Sequence, residues 1–248
     1  MECDHGHIPF SSNIIMITNK KYIPEDKMIS LISDDYHLLQ VLSRFGIPLG
    51  FSDKTISQVC RDNGVDCNTF LTIVNFLNDT NYESPDIECL SLKSLLHYLK
   101  QSHIYFLDFN LPLIRRKLLD GIILKDSDVS FLIIKLFDEY VDGVRAHMED
   151  EEKHLFQQVE SIINNCIINK KDFLVYSQHH EEVGSKLREL KNIIIKYCPP
   201  DSSANLLNAA LYDIYRCEEE LESHCKVEDF LLLPAMEFKM MKNKSDQL

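Results

Sequence analysis

Residues 144–155 read Val144-Arg145-Ala146-His147-Met148-Glu149-Asp150-Glu151-Glu152-Lys153-His154-Leu155. Val144, His147, Glu151 and Leu155 recur at threes and fours, the spacing of one helix face. An imidazole and a carboxylate therefore stand one turn apart inside an apolar stripe. The phrase returns as Leu221-Glu222-Ser223-His224-Cys225-Lys226-Val227-Glu228-Asp229-Phe230-Leu231. Each His-x-x-x-Glu pair can aim both groups at one metal ion.

Outward from these two stretches the chain reads as nearly all helix. Only seven glycines and eight prolines interrupt its 248 residues, and apolar positions follow a helical rather than an alternating period. Asn78 to Asp86 is polar and turn-forming, so it divides a small N-terminal helical domain (1–80) from a larger unit, with a linker at 81–90. Four long helices are expected beyond it. The first starts near Ser91 and breaks around Pro112. The second runs from about Asp128 to Ile163, the third from about Asp172 to Tyr197, and the fourth from about Ser203 to Leu233, stopped by Pro234. Short connections between long helices favour antiparallel neighbours, so 91–240 is expected to form an up-down four-helix bundle, with a tail at 241–248.

The inward stripes of these helices carry the histidines. Leu92, Leu95, Leu99, His103 and Phe106 form the first, and Ile133, Tyr140, Val144, His147, Glu151 and Leu155 the second. Phe173, Tyr176, His180, Val183, Leu187 and Leu190 form the third, and Ile214, Cys217, Leu221, His224, Glu228 and Leu231 the fourth. Every helix sends one histidine into the core and two add a carboxylate. Burying such groups unpaired costs on the order of several kcal/mol each. A metal centre removes the conflict. A lone histidine on an apolar stripe is more often a core residue bonded to a carbonyl, and a lone His-x-x-x-Glu pair is more often a surface ion pair. It is the joint placement on four helices that favours metal.

The ligand types narrow the ion. An imidazole and carboxylate shell suits iron, manganese or zinc, and the absence of thiolates weighs against zinc ribbons and iron–sulfur ligation. Glutamates from opposite helices can bridge two ions, leaving a position on each for a small ligand. Histidine binds metal only when neutral, so release is expected as pH falls through the imidazole range.

At this point the residues resemble the hemerythrin-like, or HHE cation-binding, domain over about 88–240. The order of motifs is similar to that of the di-iron proteins for repair of iron centres. The pieces that carry the resemblance are His147-x-x-x-Glu151-Glu152 before Leu155-Phe156, His180-Glu181-Glu182-Val183-Gly184, His224-x-x-x-Glu228 before Leu233-Pro234, and Ser102-His103 leading to Asn110-Leu111-Pro112. The resemblance implies two iron ions, oxo- or hydroxo-bridged, held by His103, His147, His180 and His224 with Glu151 and Glu228 bridging; manganese or zinc is the lesser expectation. Oxygen-carrying hemerythrins have another histidine where Gly184 stands, which points away from oxygen transport. The implied role is in nitrosative or oxidative stress, repairing iron–sulfur clusters by delivering iron or handling nitric oxide or peroxide, with iron–sulfur proteins as clients.

Leu39 to Val65 looks like the small helical domain that precedes the bundle in those proteins. They have a cysteine pair where this chain has Gly50-Phe51. Cys60 and Cys67 read as packing residues. Thr55 to Phe76 has a helix-turn-helix look, so a transcriptional regulator is an alternative; Cys67 to Asn78 holds no Lys or Arg, which opposes duplex binding. A further alternative is a non-catalytic sensor or store for oxygen, nitric oxide or iron. Rapid consumption of nitric oxide or peroxide separates turnover from sensing, and a salt-dependent gel shift would revive the regulator.

Charge and composition bound these readings. A net charge of −13 repels phosphate backbones and anionic lipid. No apolar run approaches the ~18 residues of a membrane span, and the eight scattered cysteines form no C-x-x-C pair, so a cytoplasmic protein with reduced thiols is expected. A homodimer is compatible with the sequence. Among other candidates, His154 is read as a core residue or a hydrogen-bond donor behind the ligands, His97 and His179 as turned away, Tyr140 as core or access-lining, and Cys3, His5 and His7 as a frayed terminus.

Overall fold

The Ser91 hydroxyl accepts the Ser94 amide at 3.2 Å, and this N-cap starts the first bundle helix. The structure is a computed structural model that describes residues 21–78, 85–122, 128–164, 180–199 and 202–245; the side chains of 180–185, 244 and 245 lie outside that description. The protein is all-α. Among the described residues the sole β feature is an isolated bridge between Lys27 and Thr55, and no helix is long and apolar enough to cross a membrane.

Four short helices come first: α1 (Met28–Asp34), α2 (Leu39–Arg44), α3 (Ile56–Asp62) and α4 (Cys67–Asn78). Thr55 and Gln58 form a reciprocal capping box at the start of α3. Gly64, at φ +65°, turns the chain into α4 through a conformation other residues avoid. The middle of α4 (Thr69, Phe70, Leu71, Ile73, Val74, Asn75) is buried. The segment with the helix-turn-helix look thus spends much of its surface on the core. The Asn75 side chain accepts the Tyr22 amide at 2.7 Å and donates to the Tyr22 carbonyl at 3.0 Å, anchoring the incoming chain.

The bundle helices follow. The first is α5 (Leu92–Ile104), a π-helical turn (Tyr105–Asn110) and α6 (Leu111–Gly121). The second is α7 (Asp128–Lys153) and α8 (Leu155–Ile163), the third α9 (His180–Tyr197), and the fourth α10 (Ala204–Val227), a π-helical turn (Glu228–Leu232) and α11 (Leu233–Ser245). Helix α5 packs on α8, α6 on α7 and α10, and α9 on α7 and α10, an antiparallel up-down arrangement.

Neither Pro112 nor Pro234 ends a helix as the sequence suggests. A proline removes one amide donor and crowds the carbonyl four residues earlier. Here those carbonyls belong to Asp108 and Phe230, and each lies in a π-helical turn that widens the backbone just ahead of the ring. The prolines then occupy the first turns of α6 and α11, where an amide is dispensable. The expected start of the third helix at Asp172, and residues 81–84 of the expected linker, lie outside the described residues.

The apolar core is broken in two. One cluster joins the N-terminal helices to one end of the bundle and includes Leu95, Leu99, Leu155, Phe156, Val227 and Leu231. The other fills the opposite end with Phe106, Val144, Met148, Leu187, Ile214 and Cys217. Between Leu99 and Phe106, between Met148 and Leu155, and between Cys217 and Val227 the chain inserts His103, Glu151 and His224, all buried. A polar layer separates two apolar halves.

Candidate metal centre

Each residue of this layer is held by the stripe around it. His103 lies in the last turn of α5, one turn after Leu99, and Phe156 of α8 stacks on its ring with centroids 5.0 Å apart. Glu151 is completely buried in the last turn of α7. His224 lies near the end of α10, its ring 5.1 Å from that of His103 and edge-on to Phe106. Both histidines stand in the last helical turn before a π-helical turn, the kind of insertion that accumulates at functional sites.

The donor atoms converge. His103, Glu151 and His224 each offer one ligand atom within 4.8 Å of the others. Glu151 Oε2 lies 3.2 Å from His103 Nε2, and its Oε1 lies 2.8 Å from His147 Nε2. Two donors bound at right angles to one ion, each at about 2.1 Å, are about 3 Å apart. The separations here suit donors that share an ion, and they equally suit imidazole–carboxylate hydrogen bonds. Glu228 begins the second π-helical turn with both carboxylate oxygens shielded from water. His180 is the first residue of α9, and its side chain lies outside the described residues.

The electrostatics suit a cation. Neither ring nitrogen of His224 has a hydrogen-bond partner, a loss of roughly 1–3 kcal/mol for a buried polar group. Burial, and then the neighbouring His103, hold the His224 imidazole well below its ordinary pKa, against the pull of Glu151. It stays neutral, the form that ligates. A cation held with His103 and Glu151 would give one of those nitrogens a partner.

Sequence reasoning missed Glu152. Its Oε1 lies 2.9 Å from His103 Nδ1, so one imidazole stands between consecutive glutamates, with Glu151 Oε2 3.2 Å from its Nε2. The doubled Glu151-Glu152 was the available signal. His154, expected in the core or behind the ligands, instead is 56% exposed at the break between α7 and α8, with Nδ1 3.0 Å from the Asp150 carbonyl and 2.9 Å from Asp150 Oδ1. A carboxylate one turn away outcompetes the site for its ring. His97 is exposed on a different face of α5 from His103, as expected. His179, Cys3, His5 and His7 lie outside the described residues.

A cavity of about 260 Å³ adjoins the layer, its wall formed by Tyr140, Val144, His147, Met148, Leu221 and His224. Tyr140 is both core and cavity wall, its hydroxyl pushed well above its usual pKa by burial and set beside Cys217.

Comparison with known proteins agrees with this geometry. The model of the Hemerythrin HHE cation binding domain matches residues 94–236. The chain belongs to this family. The matched HHE stretch contains His103, His147, Glu151, His180, His224 and Glu228 together with both π-helical turns. A curated protein, the iron-sulfur cluster repair protein ScdA of Staphylococcus haemolyticus (strain JCSC1435), is 19% identical over 222 residues, which cover 88% of this chain and 98% of that one. The likeness to that protein therefore takes in the N-terminal helices as well as the HHE domain.

Proposed function

We propose that this HHE protein holds two iron ions between His103, His147, His180 and His224, with Glu151 and Glu228 bridging, and serves the repair of iron–sulfur clusters by delivering iron or handling nitric oxide or peroxide. The observation that carries the reading is Glu151, whose two oxygens face different imidazoles at 2.8 and 3.2 Å. A carboxylate so placed suits a bridge better than a terminal ligand. The name and full-length coverage of the ScdA relative support repair over transport.

Bound iron would supply one-electron chemistry and an open position for a diatomic ligand or peroxide. The chain's own residues do the rest. The His224 imidazole stays neutral, Glu152 orients His103, Phe106 and Phe156 exclude water from two sides, and the cavity beside His147 and His224 admits a small molecule. A cytoplasmic location and iron–sulfur client proteins go with this role. Manganese and zinc fit the donors less specifically.

The test is metal analysis of protein made in iron-replete cells, with an optical spectrum for oxo-bridged ferric charge transfer. About two irons per chain are expected, falling in Glu151→Ala and Glu228→Ala. Iron content unchanged in both variants would refute the bridge. Consumption of nitric oxide or peroxide by the loaded protein would support handling; binding without consumption would support iron delivery or sensing.

A further inference from the structure

Arg44 closes α2 and is 3% exposed among apolar neighbours. A buried guanidinium is costly unless its charge and its donors are met. Nη1 donates to the Tyr98 hydroxyl at 3.0 Å, but Nε and Nη2 have no hydrogen-bond acceptor. Nη2 lies 3.7 Å from Glu220 Oε2, and the other oxygen of Glu220 accepts from Arg216 at 3.2 Å. One carboxylate thus serves two guanidiniums, which leaves positive charge where water does not screen it.

That charge sits one ring from the polar layer. The Arg44 guanidinium lies over Tyr98, Tyr105 and Phe106, closest to Phe106 at 5.3 Å. Phe106 in turn meets His224 nearly perpendicular, with centroids 6.1 Å apart. Arg44 comes from the N-terminal helices, while Phe106 and His224 belong to the bundle. Aromatic faces stabilise the cation there without neutralising it.

We propose that Arg44 is a positioning residue through which the N-terminal helices set the reduction potential of a metal ion held by His224. The inference rests on the metal-centre reading above. An unscreened positive charge favours the less positive, reduced ion, and Glu220 offsets part of that field.

The experiment is an optical redox titration of the full chain loaded with iron, comparing wild type with Arg44→Met, Arg44→Lys and Glu220→Gln, with iron per chain measured in each. Arg44→Met is expected to lower the midpoint potential and Glu220→Gln to raise it, while Arg44→Lys stays nearest wild type. Loosened packing alone would move the first two in one direction. With wild-type iron content, unmoved potentials or shifts of the same sign overturn the proposal. If Arg44→Met does not fold, Glu220→Gln decides: a raised potential supports the proposal, and an unchanged or lowered one overturns it. Wild-type protein that takes up no iron would instead sink the metal-centre reading and this inference together.

Discussion

Glu152 Oε1 and His103 Nδ1 are 2.9 Å apart, on the side of the ring away from Glu151. A carboxylate on the distal nitrogen fixes the tautomer and makes the imidazole a stronger donor through Nε2. Glu152 is 48% exposed, so its replacement leaves the core intact. Glu152→Gln is expected to weaken metal binding about 10- to 100-fold in chelator competition, with little change in melting temperature of the metal-free protein. Affinity equal to wild type would mean that this contact does not orient the ligand.

His224 supplies a second prediction, because its two ring nitrogens are buried without hydrogen-bond partners. Leucine at this position removes that cost of roughly 1–3 kcal/mol. Metal-free His224→Leu is therefore expected to be more stable than metal-free wild type, by about 2–4 °C in Tm for each kcal/mol gained. Added iron should stabilise wild type and leave the variant unmoved. A variant less stable than the metal-free parent would show the imidazole to be a satisfied core residue.

The two His-x-x-x-Glu phrases made the bundle and its polar layer legible, because a period of three to four residues both defines a helix and places donors on its inner face. Three of the expected donors, His103, Glu151 and His224, meet within 4.8 Å. Less legible were the details governed by contacts distant in sequence. The prolines read as helix ends, since a linear reading does not register that a π-helical turn can absorb the missing amide. Arg44 gave no signal because its partners, Tyr98 and Glu220, come from other helices. His154 misled because it shares the period of its stripe, yet Asp150 holds it outward.

The pH dependence of the metal-free protein follows from the depressed pKa of His224, caused first by burial and then by His103. A histidine lowered in the folded state binds protons more readily when unfolded, so stability rises with pH through the unfolded value near 6.5. Above that range the group contributes no slope. Below it, down to the folded value, stability is lost at up to about 1.4 kcal/mol per pH unit. Melting curves of metal-free wild type and His224→Leu are expected to diverge increasingly as pH falls below about 6.5 and to run parallel above it. Parallel curves throughout would mean that the buried ring accepts a proton as readily as an exposed one.

Val144 is buried against the cavity of about 260 Å³ that reaches His147 and His224. Phenylalanine there projects its ring into this space, one turn before His147. Overpacking costs typically about 1–3 kcal/mol, which the existing void reduces. Val144→Phe is therefore expected to keep its iron while binding azide or nitric oxide several-fold more slowly in stopped-flow absorbance. Val144→Ala enlarges the same space and should bind at least as fast as wild type, with a lower melting temperature from the lost methyl contacts. Equal rates in all three proteins would place the path of the small ligand elsewhere, because a cavity that serves as the route cannot be filled without slowing entry.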